Sequence, residues 1–247
     1  MLTRMFWVVG LAMLLPATVL AASFAVNPVR VDLAADRPYM VVYITNTADT
    51  PLTLQARAFR WTGDEARGGL VATDELILNP PMLTVMPNTT RFLRLGLRTP
   101  NRGTTELPYR LALQEVPKAP GPNDGAAIRT ILRMTIPVFA APKTAVAPKP
   151  EWTLQQSGSG KFKLVLTNKG NAHIQVRELG ISPADKTGIS KALTAPIYVL
   201  PGQSHEWEIE DPEFTGQSHV KVLANTDAGK SDETVQVTYP SVAANPN

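Results

Sequence analysis

Hydrophobic residues beyond the first twenty positions occur in short runs, often at every second position, and the runs are separated by Pro, Gly and Asn. This alternation predicts β-strands, because successive side chains of a strand point to opposite faces of a sheet. In the first half the runs cover residues 40–45, 52–59, 90–97, 109–116 and 128–139. In the second half they cover residues 161–167, 174–179, 206–209, 220–223 and 234–239. Strands of this length and spacing predict an all-β protein of immunoglobulin-like β-sandwiches.

A proline-rich segment divides the chain near its middle. Residues 140–152 contain three prolines and no large apolar residue before Trp152, which is typical of a semi-rigid linker. The predicted organisation is a signal peptide, two immunoglobulin-like domains joined by the linker, and a short tail. The signal peptide covers residues 1–21, and the two domains cover residues 22–140 and 152–240. The linker covers residues 141–151, and the tail covers residues 241–247.

The two halves also resemble each other in sequence. Residues 85–95 and 199–209 both read as two apolar residues, a proline, a polar turn and an alternating strand. Residues 44–46 and 166–168 both end a strand with Thr-Asn. Repetition of this kind favours two sandwiches in tandem over one large sandwich.

The first 22 residues have the pattern of a secretory signal peptide. Arg4 precedes an apolar stretch over residues 5–20, and the small residues Ala21 and Ala22 follow. Cleavage after Ala21 fits this pattern and implies export. A retained membrane anchor is the alternative, and Pro16 within the apolar stretch disfavours it.

Charge and composition exclude several classes of function. The formal net charge is +3, and loss of Arg4 with the leader lowers it to about +2. Without a basic stripe, nucleic acid is not an expected partner. The chain has no cysteine, so disulfides and thiolate metal sites are excluded. Residues 224–231 match a loose phosphate-loop pattern, but an alternating strand rather than a helix follows them, which predicts a hairpin turn and no nucleotide.

No set of residues predicts catalysis or metal binding. The three histidines, His173, His205 and His219, lack metal-ligand spacing and are predicted to be structural or at the surface. No GxSxG nucleophile pattern occurs, and the acidic pairs are adjacent residues that point in different directions. We therefore expect no catalytic residue, no metal and no cofactor.

The segment 128–139 has one nearly continuous apolar face. Ile128, Thr130, Leu132, Met134, Ile136 and Val138 share that face, and Arg129, Ile131, Arg133, Thr135, Pro137 and Phe139 share the other. Pro137 cannot donate a hydrogen bond to a neighbouring strand, which predicts a sheet edge or bulge there. An apolar edge strand favours aggregation unless it is a binding surface. The alternative is that this face packs in the core of its own domain.

Several segments resemble the PapD-like periplasmic chaperones of chaperone–usher pathways. They are residues 22–32, the Asn79-Pro80-Pro81 turn, residues 106–117 and residues 128–139, with Asn168-x-Gly170-Asn171-x-His173 in the second half. The resemblance implies two immunoglobulin-like domains in a boomerang arrangement. It also implies a donor strand that completes the fold of a bound pilin (fimbrial) subunit, delivery of that subunit to an outer-membrane usher, and a free state that is a monomer or a self-capping homo-oligomer. The implied donor residues are Ile128, Thr130, Leu132, Met134 and Ile136.

The same resemblance implies a pair of basic residues that bind the C-terminal carboxylate of the subunit. Arg30 is the first of the pair. The lysine that commonly supplies the second aligns with Pro137 and is absent, and Arg110 looks like the substitute of the archaic branch of the family. Both arginines have apolar neighbours in sequence, so they should point away from the core. The alternative for each is an ordinary surface arginine.

A second class of function also fits a secreted immunoglobulin-like chain. An adhesion or carbohydrate-binding module would have the same fold. Such a protein would have no need for Arg30 or for an apolar face on the strand at residues 128–139.

Overall fold

The computed structural model describes residues 24–63, 68–117 and 130–239. The predicted signal peptide, the predicted tail and Ile128 lie outside these ranges. The described residues form eighteen β-strands and one 3-10 turn, Pro212–Phe214, which confirms the predicted all-β class. Within these ranges, no helix combines the length and the apolar character needed to cross a bilayer.

Ten strands lie before the proline-rich segment and eight follow its start. The first ten are β1 (Phe24–Asn27), β2 (Val31–Leu33), β3 (Tyr39–Asn46), β4 (Leu52–Trp61), β5 (Leu70–Ala72), β6 (Leu76–Asn79), β7 (Met82–Val85), β8 (Thr90–Leu97), β9 (Leu107–Glu115) and β10 (Arg133–Ala140). The others are β11 (Pro150–Gly158), β12 (Lys161–Asn168), β13 (Ile174–Pro183), β14 (Lys191–Leu193), β15 (Ile197–Val199), β16 (Ser204–Glu210), β17 (His219–Thr226) and β18 (Gly229–Thr238).

Strands β1 to β10 form a sandwich of two sheets. One sheet has the order β1-β3-β8-β6, and the other has the order β2-β10-β9-β4-β5 with β7 paired to β4. Alternation places one face of each strand inside: in β8, Leu93 and Leu95 are buried while Phe92 and Arg94 are exposed. The buried side chains of both sheets form a single core cluster, so this part of the chain has a core of its own.

Strands β11 to β18 form one continuous sheet around a second core. Its order is β14-β13-β17-β18-β11-β12-β16, with β15 paired to β13. In β16, Glu206, Glu208 and Glu210 are exposed, whereas Trp207 and Ile209 are buried, as the alternation predicts. Strands β17 and β18 pair up to Thr226 and Gly229, so the phosphate-loop-like segment is the predicted hairpin turn.

The internal sequence repeat corresponds to the same buried corner in both units. The side-chain amide of Asn46 donates to the carbonyl of Val85 at 3.0 Å, and that of Asn168 donates to the carbonyl of Val199 at 3.0 Å. Val85 and Val199 are the first residues of the other repeated segment. Each asparagine also donates to the carbonyl four residues later and accepts from the backbone N–H two residues later. The two halves of the chain therefore share the same hydrogen bonds at this corner as well as the same hydrophobic pattern.

Candidate functional site

One side of β10 is only partly covered by a neighbouring strand. β9 pairs with β10 along its whole length, from Arg133 opposite Gln114 to Ala140 opposite Leu107. On the other side, β2 pairs only with residues 138–140. In the described part of the chain, no strand pairs with this side of residues 133–137. Backbone groups there are open to another strand, and Pro137 lies where this free edge ends.

The apolar face of this segment divides into a free part and a buried part. Thr130 is exposed, and Leu132 and Met134 are half-buried at the margin of the core. Ile136 and Val138 are 1% and 0% exposed inside that core. Ile136 is thus a core residue of its own sandwich in the free chain, and its role as a donor residue stays a prediction. The strand also begins at Arg133, later than predicted.

Arg30 and Arg110 lie in one row across the sheet, on either side of Pro137. Val31 pairs with Val138 in β10, which places Arg30 beside Pro137, and Pro137 pairs with Arg110 in β9. Adjacent strands are about 4.8 Å apart, so the two arginine backbones are separated by about 10 Å. Val31, Val138 and Tyr109 are buried in the core, so the row of arginines faces away from it.

Arg30 faces the junction between the two units. Its Nε donates to Asp32 at 3.0 Å, and its Nη1 donates to Gln175 Oε1 at 3.2 Å and to Asp227 Oδ2 at 3.5 Å. Gln175 is in β13, and Asp227 is in the hairpin turn between β17 and β18. The side chain of Tyr198, also from the second unit, is a further hydrogen-bond partner of Arg30.

Arg110 is held by aromatic side chains from both units. Its Cζ lies 3.7 Å from the ring centre of Trp61 and 5.8 Å from that of Tyr198. The Trp61 indole is itself fixed, because its Nε1 donates to the carbonyl of Gly63 at 2.6 Å. Stacking of this kind is favourable for guanidinium and orients its N–H groups around the ring plane. Arg110 is half-buried in this arrangement.

A buried charged cluster joins the two units next to Arg30. His173 is 8% exposed, and its Nδ1 lies 2.9 Å and 3.0 Å from the carboxylate oxygens of Glu106. Its Nε2 lies 3.2 Å from Asp227 Oδ2, an ion-pair contact that is not aligned as a hydrogen bond. The imidazole also stacks on Phe139 with ring centres 3.5 Å apart. His173 is therefore structural, as the sequence indicates, and it connects the carboxylates of both units.

The surroundings of His173 favour its charged form. Burial lowers its pKa, but Asp227 and Glu106 outweigh burial and raise the pKa to about 9. For Asp227 the directions are opposite. Burial raises its pKa, but the neighbouring His173 and the N–H of Gln175 outweigh burial, so the pKa of Asp227 is lowered. At neutral pH the cluster therefore contains an imidazolium between two carboxylates.

The segment 168–173 builds the rest of the junction. The Asn171 side chain donates to the carbonyls of Thr104 and Ala145 at 3.1 Å and 3.0 Å, and it accepts from the N–H of Ala147 at 2.8 Å. A Cβ on Gly170 would lie 2.2 Å from the carbonyl oxygen of Ala147, so only glycine fits there. The Asn-x-Gly-Asn-x-His motif is thus a junction between the units.

Raising the pH should weaken this junction through His173. Its pKa is higher in the folded protein than in the unfolded chain, so its stabilising contribution is fully present below about pH 6.5 and is lost as the pH rises through about 9. Relative to His173→Gln, we expect the wild type to lose about 2 to 3 kcal/mol of unfolding free energy between pH 7 and pH 10. Denaturant unfolding at both pH values measures this difference.

The matched control is His219→Gln, since His219 is exposed. That variant should have the same unfolding free energy as the wild type at pH 7 and at pH 10. An advantage of the wild type over His173→Gln that is equal at pH 7 and pH 10 would show that His173 acts only by packing against Phe139.

The described residues contain no group of three or more His, Asp or Glu placed to hold a metal ion. Beside the charged cluster around His173, the junction contains two guanidiniums: Arg30, which is paired with Asp32 and Asp227, and Arg110, which has Trp61 and Tyr198 next to it. Guanidinium groups bind carboxylates through directional, charge-assisted hydrogen bonds. The chemistry available at this site is anion binding next to a free strand edge.

Comparisons with known proteins agree with this architecture. Residues 23–145 match the family described as pili and flagellar-assembly chaperone, PapD N-terminal domain. A search of curated proteins found no match.

Solved structures of pilus chaperones share the fold of nearly the whole chain. The CsuC–CsuE chaperone–tip adhesion subunit pre-assembly complex, from archaic chaperone–usher Csu pili of Acinetobacter baumannii, matches with a TM-score of 0.62 and 22% identity, covering 89% of this chain and 100% of that one. The SafA pilin–SafB chaperone complex of Salmonella enterica gives 0.62 and 15%, with coverage of 89% and 97%. The CupB2 chaperone of Pseudomonas aeruginosa gives 0.55 and 17%, with coverage of 86% and 100%.

The fold and the family match together define a two-domain, immunoglobulin-like chaperone. The chain belongs to the PapD-like family of pilus-assembly chaperones. This family is one of chaperones and not of enzymes, and its members are periplasmic proteins.

Proposed function

We propose that this protein binds pilin subunits by adding the free edge of β10 to the subunit's incomplete sheet. The observation that carries the proposal is the free edge of residues 133–137, next to the half-buried Leu132 and Met134. Strand addition supplies backbone hydrogen bonds, and alternate side chains supply specificity. Leu132 and Met134 are already half-buried, so completing their burial would contribute about 1 kcal/mol each before the costs of association.

In this proposal Arg30 and Arg110 bind the C-terminal carboxylate of the subunit. They flank the end of the free edge, and the stacking of Arg110 on Trp61 limits its freedom before binding. A receptor with little freedom to lose binds more tightly. The carboxylate would then fix the register of the added strand, because it can occupy only one position along β10.

The leader at residues 1–21 would direct the chain to the periplasm, where subunit capture and delivery to an outer-membrane usher take place. Support for capture comes from the solved relatives, two of which are described as complexes of a chaperone with a tip subunit or a pilin. Without a subunit, the same edge could be covered by a second copy of the chain, so the free protein would be a monomer or a self-capping homo-oligomer.

Co-expression with the pilin genes of the source organism, followed by purification from the periplasmic fraction, tests this function. We expect a one-to-one complex with a protein of pilin size and a mature N-terminus at Ala22. Recovery of the folded protein without any pilin, or its retention in the cytoplasmic membrane, would contradict the proposal.

A further inference from the structure

Tyr198 enters the arginine site from the second unit. It lies in β15 directly opposite Gln175 of β13, and Gln175 accepts the hydrogen bond from Arg30. On its other side, the Tyr198 ring centre is 5.8 Å from the Arg110 guanidinium. Tyr198 is therefore positioned between the two arginines that the proposed function assigns to the carboxylate.

The ring packs against aromatic groups, and its edge is open to a cavity. Its centre lies 5.8 Å from that of Trp61 and 5.5 Å from that of Phe139. Trp61, Arg110 and Tyr198 also line a cavity of about 900 Å³ between the two units. The cavity leaves room for a peptide terminus beside the phenol.

The hydroxyl of Tyr198 is a hydrogen-bond donor at neutral pH. Burial raises its pKa, and this effect outweighs the opposing effect of Arg30 and Arg110. A phenylalanine would serve the packing against Trp61 and Phe139 equally well, so the packing does not account for the hydroxyl. The hydroxyl oxygen accepts a hydrogen bond from Arg30, and its own hydrogen is left to donate to an oxygen acceptor held between the two guanidiniums.

We propose that Tyr198 is a third donor to the C-terminal carboxylate of the subunit, so that the receptor is shared between the two domains. This inference rests on the proposed function. Arg30 and Arg110 supply charge from the first domain, and Tyr198 supplies a neutral O–H from the second. Binding of the terminus then depends on the junction around His173, because that junction sets the distance between Tyr198 and the arginines.

Two synthetic peptides test the proposal. Both are six residues of alternating valine and threonine; one ends in a free carboxylate and the other in an amide. Titration of the isotope-labelled mature protein, followed by the NMR signals of the arginine Nε–H groups, gives the affinity for each. We expect the wild type to prefer the carboxylate peptide and Tyr198→Phe to lose about tenfold of that preference.

The amide peptide separates carboxylate recognition from general weakening, since Tyr198→Phe should bind it like the wild type. Tyr43→Phe, at an exposed position of β3, is the matched control and should keep the full preference. An unchanged preference in Tyr198→Phe would overturn the role of Tyr198 and leave the arginine anchor intact. Equal or absent binding of the two peptides by the wild type would overturn the anchor itself, and the role of Tyr198 with it.

Discussion

Arg30→Ala is expected to abolish co-purification of the pilin while leaving the chaperone folded. The proposed anchor loses its charge-assisted hydrogen bonds to the terminal carboxylate, which contribute about 1.5 to 3 kcal/mol each. Loss of two such bonds weakens the complex by roughly 100-fold or more. Pull-down of the tagged chaperone, with the pilin quantified by mass spectrometry, measures the loss.

Arg30 also connects the two units, so a control must separate these roles. Gln175→Ala removes the acceptor at 3.2 Å from Arg30 but keeps the guanidinium. That variant should retain most of the complex. Wild-type yield of complex from Arg30→Ala would contradict the anchor, and equal loss in both variants would show that Arg30 acts through the junction.

Leu132→Gln is expected to weaken subunit binding by a similar amount. The variant loses the apolar burial of leucine and brings an amide without a partner into the subunit groove, with a combined cost of about 3 kcal/mol, or roughly 100-fold in affinity. The effect on folding should be smaller, because Leu132 only borders the core. Complex yield and thermal unfolding of the free chaperone measure the two effects separately.

Ile131→Gln is the matched control for Leu132→Gln. Ile131 is the preceding residue and is 47% exposed, and its side chain points to the opposite face. The control variant should form the complex normally. If both variants bind like the wild type, or if only Ile131→Gln fails, then the face that contains Leu132 is not the one that contacts the subunit.

Much of the fold was predictable because long strands carry a clear period. The prediction of residues 90–97 matches β8, and those of residues 40–45 and 161–167 match β3 and β12 to within one residue at each end. The strands that the pattern did not predict are mostly short, among them β1, β2, β5 and β14 with three or four residues each. Three residues do not establish an alternation, so the pairing of β2 with β10 emerges only in three dimensions.

The candidate site was predictable only where a family motif, or the alternation of side chains along a strand, indicates a residue. Arg30 and Arg110 follow from the family resemblance and from their apolar neighbours. Trp61, Tyr198 and Asp227 come from distant segments that meet only at the junction, so no local spacing relates them to the arginines. One signal did exist for Asp227: it lies in the phosphate-loop-like pattern, which as a hairpin turn had no assigned role.

Burial also separates residues that the alternation treats alike. Met134 and Ile136 share one face of the strand, yet Met134 is half-buried and Ile136 is 1% exposed. Ile136 lies within the core cluster, two residues before β2 begins opposite Val138, whereas Met134 lies two residues further out along the free edge and only borders the core. A period of two cannot show where along a strand its neighbour starts.

The end of the free edge at Pro137 also determines the polarity of a bound subunit strand. Past that point β2 occupies the position beside β10, so an added strand can extend only alongside the earlier residues. With the proposed carboxylate anchor, its last residue lies at the arginine row and the preceding residues lie beside Thr135, Arg133 and Ile131, so the added strand runs in the same direction as β10. A reversed strand would bring an amino terminus, with its positive charge, against two guanidinium groups, and like charges at this distance repel.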